Sequence, residues 1–71
     1  MNIMTNKIKY ILSLRNMTIK DLAKKLGKNE RYFYNKFYKG VFTIEELEEI
    51  ASALECDFDG VFTLRDSGTK I

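Results

Sequence analysis

Apolar residues recur every three or four positions along most of the chain, which is the spacing of amphipathic helices. Leu47, Ile50, Ala51 and Leu54 give the clearest example, because they share one helical face. Three earlier segments show similar spacing, and each is followed by an asparagine or by a glycine, residues that tolerate the left-handed conformation at a helix end. The pattern predicts four short helices, over residues 5–15, 19–26, 30–38 and 44–54.

Side chains that cap helices precede the last three of these segments. Thr18 is followed three residues later by Asp21, and Thr43 is followed three residues later by Glu46. Both pairs have the spacing of a capping box, in which the two residues exchange side-chain and backbone hydrogen bonds. Asn29 precedes the third segment and is a preferred cap on its own. These residues predict where the second, third and fourth helices begin.

The apolar period changes to two after Glu55, which is typical of a strand. A turn at residues 66–68 would allow residues 69–71 to return as a short second strand. The alternative is one extra helical turn, capped by Asp57 and ending at residue 62. The alternating residues of the predicted strand are Phe58, Gly60, Phe62 and Leu64.

Length and composition exclude several classes of protein. A chain of 71 residues can build one small domain, so association is its most available source of extra stability. The single cysteine, Cys56, excludes an intramolecular disulfide, and with no histidine we expect no metal site. We see no apolar run long enough to span a bilayer and no signal peptide, so we expect no membrane partner and a cytoplasmic, nucleoid-associated location.

The net charge of +2 conceals a division of the chain into a basic part and an acidic part. Residues 1–42 contain ten Lys or Arg and two acids, a net charge of +8. Residues 43–71 contain two Lys or Arg and eight acids, a net charge of −6. This asymmetry indicates a polyanionic partner for the basic part. The alternative is that both parts are only solvated helix faces.

The second and third predicted helices are joined by a tight turn at Gly27. The small side chain of Ala23 lets the two helices approach, and Gly27 permits a left-handed turn. Phe33 would fill the angle between them. This arrangement predicts a helix-turn-helix, whose second helix can enter the major groove of DNA.

Residues 17–37, Met-Thr-Ile-Lys-Asp-Leu-Ala-Lys-Lys-Leu-Gly-Lys-Asn-Glu-Arg-Tyr-Phe-Tyr-Asn-Lys-Phe, resemble the phage-repressor (Cro/Xre) helix-turn-helix family. Residues 46–54 resemble the helix that follows in that family. The sequence departs from the family at Ile19, where glutamine is usual, at Lys28, where a small or aliphatic residue is common, and in its β-like C-terminus. The resemblance implies a mainly α, lambda-repressor-like fold of four short helices followed by a C-terminal β-strand or small hairpin.

We expect residues 1–55 to form the DNA-binding domain and residues 56–71 to form a β extension that mediates dimerisation. The resemblance implies that the third helix is the recognition helix, so its face opposite Phe33 and Phe37 would meet the bases. Arginine can pair with guanine, asparagine with adenine and glutamate with cytosine. The expected base contacts are Glu30, Arg31, Tyr34 and Asn35. The expected phosphate contacts are Thr18, Lys20, Lys28, Asn29, Lys36, Tyr38 and Lys39.

The function predicted is a sequence-specific regulator of transcription, a Cro-like repressor that binds double-stranded DNA as a homodimer. Because a lone strand would leave an apolar face to cover, the expected dimer contacts are Phe58, Phe62, Leu64, Tyr10 and Leu14. The alternative is a protein-interaction module, antitoxin- or antirepressor-like, that keeps the fold and uses the acidic fourth helix. No catalytic set of residues is present, so we expect no enzyme, cofactor, metal or small-molecule ligand.

Overall fold

Four helices and two strands follow one another along the chain in a computed structural model that describes residues 3–71. The mainly α fold with a C-terminal hairpin is confirmed. The first two residues of the predicted domain 1–55 lie outside the described residues. The elements are α1 (Ile3–Leu14), α2 (Ile19–Leu26), α3 (Glu30–Lys39), α4 (Ile44–Ala53), β1 (Cys56–Phe58) and β2 (Phe62–Leu64).

The predicted helix caps are present, and they explain why the starts of α2, α3 and α4 match the prediction, whereas α1 begins two residues earlier than predicted. Thr18 Oγ1 accepts the Asp21 N–H at 3.1 Å while Asp21 Oδ2 accepts the Thr18 N–H at 2.9 Å. Thr43 and Glu46 make the same pair of bonds at the start of α4, at 3.1 and 2.8 Å. Asn29 Oδ1 accepts a backbone N–H at 2.8 Å at the start of α3. Each box satisfies donors that a helix start otherwise leaves without partners.

The turn between α2 and α3 is closed as the sequence indicated. Gly27 adopts a left-handed conformation, with φ +67°. The Lys28 N–H then donates to the Ala23 carbonyl at 2.9 Å, which satisfies one of the last carbonyls of α2. Ala23 is buried, and Phe33 is buried on α3. The helix-turn-helix is therefore held by a buried apolar contact and by a turn that favours glycine.

One apolar core joins all four helices to the hairpin. Every helix contributes at least two buried side chains, and the hairpin contributes three. Phe62 is 0% exposed and belongs to the largest fully buried side chains. The buried apolar residues are Ile8, Ile11, Leu12, Leu22, Ala23, Phe33, Phe37, Leu47, Ile50, Ala51, Leu54, Cys56, Phe62 and Leu64.

The C-terminal segment reverses direction where the sequence pattern indicated a continuous strand. Gly60 has φ +77°, a conformation outside the strand region, so residues 59–61 form a turn between β1 and β2. The two strands pair antiparallel, with Phe58 opposite Phe62. The predicted return of residues 69–71 is present, because the Ile71 N–H donates to the Phe62 carbonyl at 2.8 Å. The alternative of an extra helical turn ending at residue 62 is wrong.

The apolar face of the hairpin is covered by the helices of its own chain. Phe62 and Leu64 are 0% and 6% exposed, so they do not need a second copy to cover them, which was the reason for assigning them to a dimer interface. Phe58 is half-buried, and the centroid of its ring lies 4.9 Å from that of Phe62. Tyr10 and Leu14 are exposed on α1. The dimer surface stays a prediction. Of its five predicted residues, only Phe58, Tyr10 and Leu14 are accessible to a second copy.

Arg15 connects the end of α1 to the end of α4 and to the turn that follows β2. Its guanidinium donates to the carbonyls of Leu54 and Glu55 at 2.9 and 3.1 Å, at the C-terminal end of α4. It also donates to both carboxylate oxygens of Asp66, at 2.7 and 3.0 Å. A cation at this position stabilises the negative end of the helix dipole. The hydrogen bond from Arg15 lowers the pKa of Asp66.

We predict that Phe62→Ala lowers the free energy of unfolding by about 3–5 kcal/mol, because it leaves a cavity in the core. The adjacent Val61, which lies in the turn and is 38% exposed, is the matched control. Val61→Ala should cost less than about 0.5 kcal/mol. Urea denaturation followed by circular dichroism measures both values. Equal losses for the two variants would mean that the hairpin is not part of the core.

Candidate nucleic-acid interface

The exposed face of α3 is determined by the two phenylalanines on its inner face. Phe33 and Phe37 are 2% and 5% exposed. Since successive helical residues turn by about 100°, Asn35 lies opposite these two side chains. Arg31 and Lys39 flank Asn35 at about 40° on either side. All three are exposed, so their side chains are available to a ligand along one strip of α3.

Two tyrosines extend this strip on the Arg31 side. Tyr34 is 54% exposed and Tyr38 is 90% exposed, although both have large apolar rings. Glu30 lies at the margin of the strip, because it is half-buried in the first turn of α3. An acid in this position also stabilises the helix dipole. The structure therefore brings together three of the four predicted base-contacting residues and places Glu30 beside them.

Five of the seven predicted phosphate-contacting residues form two groups. Thr18 and Asn29 stand at the N-terminal ends of α2 and α3, where backbone N–H groups favour anions. Lys20, Lys28 and Lys39 are exposed. Lys28 Nζ lies 5.1 Å from the centroid of the Tyr32 ring, which is within the range of a cation–π contact.

Lys36 is placed differently from the other predicted phosphate contacts. Its ammonium forms an ion pair with Glu46 on α4, with Nζ and Oε2 2.7 Å apart. The two side chains are 30% and 21% exposed. The Tyr32 hydroxyl donates to the same Glu46 oxygen at 2.6 Å. Lys36 therefore belongs to the contact between α3 and α4, and its ammonium already has an anionic partner.

Glu46 and Tyr32 are the residues that the sequence interpretation missed. Glu46 was recognised only as a cap, and no function was assigned to Tyr32. The helical period places Tyr32 and Lys36 four residues apart on one side of α3, which was the available signal. That signal gave no indication that this side faces α4, because the orientation of one helix against another depends on the whole core.

The Glu46 carboxylate is stabilised in its charged form. The ion pair with Lys36, the N–H of Thr43 and the Tyr32 hydroxyl together lower the pKa of Glu46 to about 2. The same hydrogen bond is the main reason that the pKa of Tyr32 rises to about 12. The Tyr32 hydroxyl consequently remains a donor to Glu46 over the whole physiological range.

The charge division of the sequence follows the order of the elements. Most of the exposed lysines, with Arg31, lie on α2, on α3 and in the turn between them, and Lys9 is exposed on α1. Glu45, Glu48 and Glu49 are exposed on α4. Within residues 3–71, no group of three or more acidic or cysteine side chains could hold a metal ion. The same part of the chain contains no helix with the length and apolar character needed to cross a membrane.

Comparison with known proteins identifies one family. The family model described as a Cro/C1-type HTH DNA-binding domain matches residues 7–67, which include all of α2, α3, α4 and both strands. The match crosses the predicted domain boundary at residue 55 and contains the hairpin. No curated protein and no solved structure matches the chain.

We predict that stability falls as the pH is lowered from about 5 to 2, in part because Glu46 becomes protonated. A carboxyl group whose pKa is lower in the folded state contributes stability above its unfolded pKa and loses it as the pH passes through the folded value, here about 2. In Glu46→Gln the side-chain amide oxygen can still accept the Thr43 N–H of the helix cap, but the negative charge is gone. The substitution should lower the free energy of unfolding by about 1 kcal/mol at pH 7.

Urea denaturation of both proteins between pH 7 and pH 2 checks this expectation. The difference between wild type and Glu46→Gln should shrink toward zero at the acidic end. Glu48→Gln, an exposed glutamate on the same helix, is the control and should behave as wild type. If the difference in free energy of unfolding between wild type and Glu46→Gln stayed constant from pH 7 to pH 2, the stabilising effect of the Glu46 charge would be contradicted.

Proposed function

This chain belongs to the Cro/C1-type helix-turn-helix family of DNA-binding domains, and from that premise we propose that it is a homodimeric repressor that places α3 in the major groove of a near-palindromic operator. Its membership supports a DNA-binding regulator of transcription. The repressor activity, the homodimer and the major-groove contact are our proposal. The protein would act at the nucleoid, in the cytoplasm.

The observation that carries the proposal is the exposed strip on α3, centred on Asn35. Arg31 can donate two hydrogen bonds to O6 and N7 of guanine, and Asn35 can bond N6 and N7 of adenine. These positions lie four residues apart on the same side of a helix whose opposite side is buried. Tyr34 can contact a thymine methyl group, and Glu30 can accept from cytosine N4 at the margin of the strip.

Contacts to the DNA backbone would position α3 without distinguishing sequences. The N-terminal ends of α2 and α3 supply Thr18 and Asn29 as donors, and Lys20 and Lys28 lie close to them in sequence. Tyr38 and Lys39 would contact the backbone at the other end of α3. Repression requires only that the bound protein occupy its operator.

A homodimer would place two copies of α3 about 34 Å apart, on successive turns of one face of the DNA. We propose that the exposed side chains of Tyr10 and Leu14 on α1 and the half-buried Phe58 on β1 contribute the dimer surface. Phe62 and Leu64 would support this surface from within the core. A chain of this size gains stability from such an association.

We predict that Arg31→Ala and Asn35→Ala each weaken binding to a specific duplex by about 10- to 100-fold, because each removes a bidentate contact worth about 1–3 kcal/mol. Arg65→Ala is the control, because it removes the same charge as Arg31→Ala from the hairpin. Arg65→Ala should change affinity by less than about three-fold. Fluorescence anisotropy with a labelled duplex, at several salt concentrations, measures all three.

The competing function is a protein-interaction module that uses the exposed acids of α4. It predicts that neither α3 variant changes a specific interaction and that no duplex binds with a steep salt dependence. Unchanged affinity in both Arg31→Ala and Asn35→Ala would reject the assigned recognition residues. Absence of salt-dependent duplex binding in the wild type would reject DNA binding itself.

A further inference from the structure

Two lysines near the C-terminal end of α3 have the same charge and different surroundings. Lys36 and Lys39 are three residues apart, and both lie on the side of the helix away from Tyr34. Lys39 is exposed and has no ion-pair partner within residues 3–71. The Lys36 side chain is 30% exposed, and its ammonium lies 2.7 Å from Glu46. The two positions therefore allow a direct comparison.

The Glu46 carboxylate is held in place by groups other than Lys36. One of its oxygens accepts the Thr43 N–H at 2.8 Å, and the other accepts the Tyr32 hydroxyl at 2.6 Å. An exposed ion pair is usually weak because two flexible side chains must be ordered together. Here the anion is already ordered by the helix cap and by Tyr32, so only Lys36 loses conformational freedom.

This carboxylate offers Lys36 the same kind of partner as a DNA phosphate does. Both are anionic oxygen acceptors that bind an ammonium at hydrogen-bond distance. If Lys36 moved to a phosphate, it would lose the Glu46 contact and leave the half-buried carboxylate with one donor fewer. The exchange replaces one ion pair with another, so it adds little to binding.

We propose that Glu46 holds Lys36 away from the DNA backbone and so removes one sequence-independent contact from DNA binding. This inference rests on the proposed function, because it assumes that α3 lies against DNA. Glu46 acts here as a positioning residue, through Lys36. One lysine of α3 then contributes nothing to DNA affinity, so the proposed base contacts of Arg31 and Asn35 account for a larger share of it.

The consequence can be measured as a salt dependence. Affinity for DNA falls as the salt concentration rises, and each phosphate neutralised by a lysine adds about 0.9 to the magnitude of the slope of log affinity against log salt concentration. Freeing Lys36 should therefore raise the slope by about 0.9. At about 0.15 M salt this corresponds to roughly five-fold tighter binding to DNA of any sequence.

The experiment compares charge-matched variants by anisotropy on a duplex of random sequence. Lys36→Gln and Lys39→Gln each remove one positive charge from α3. Glu46→Gln and Glu48→Gln each remove one negative charge from α4, and only Glu46 contacts Lys36. The double variant Glu46→Gln with Lys36→Gln completes the comparison. Elution from immobilised heparin, a polyanion without base sequence, gives a second measurement on the same six proteins, wild type included.

We expect Lys36→Gln to change the slope by less than about 0.3 and Lys39→Gln to lower it by about 0.9. Glu46→Gln should raise the slope by about 0.9 more than Glu48→Gln does, and the double variant should lose that increase. On heparin, Glu46→Gln should elute at higher salt than Glu48→Gln. The slope separates this role from a purely structural one, since a loss of stability alone does not add a phosphate contact.

A drop of about 0.9 for Lys36→Gln, with Glu46 intact, would overturn the proposal, and so would equal slopes for Glu46→Gln and Glu48→Gln. If Glu46→Gln fails to fold by circular dichroism, the comparison of Lys36→Gln with Lys39→Gln decides the question. Failure of the wild type to bind any duplex would reject the proposed function, whereas the heparin comparison would still test whether Glu46 holds Lys36 back.

Discussion

The rotation of α3 about its own axis is set by the burial of Phe33 and Phe37, which are 2% and 5% exposed. Removing a buried phenylalanine side chain costs about 3–5 kcal/mol, which exceeds the value of about 1 kcal/mol for a typical hydrogen bond. A rotation by one residue, about 100°, would expose a ring and turn polar side chains toward the core. The apolar contacts therefore decide which face of α3 is presented, and Asn35 lies at its centre.

Polar contacts then connect the elements that this core brings together. Glu46 joins α3 to α4 through Tyr32 and Lys36, and it also caps α4. Arg15 joins the end of α1 to the carbonyls at the end of α4 and to Asp66 in the turn after β2. Both groups lie at helix ends, where backbone donors or acceptors lack partners within the helix. Hydrogen bonds have a preferred geometry, whereas apolar burial has no direction, so these contacts restrict the relative positions of the elements that they join.

The sequence was most informative where structure depends on neighbouring residues. The bounds of α2 agree with the prediction, because Thr18 and Gly27 define its two ends locally. The C-terminus was less predictable, since alternating apolar residues fit both a long strand and a hairpin, and only the left-handed backbone at Gly60 distinguishes them. Arg31 and Asn35 lie on the predicted exposed face, whereas Lys36 does not reach it. Its partner Glu46 is ten residues away on another helix, and the helical spacing of residues within α3 cannot predict a contact between helices.

Selection from a pool of random duplex DNA tests most directly the claim that α3 recognises base sequence as part of a homodimer. We expect an enriched inverted repeat whose half-sites are centred about 34 Å apart. We also expect that Asn35→Ala relaxes the preference for adenine at one position in each half-site, while the rest of the preference is retained. Enrichment of no sequence, or of a single site that Asn35→Ala leaves unchanged, would contradict this claim.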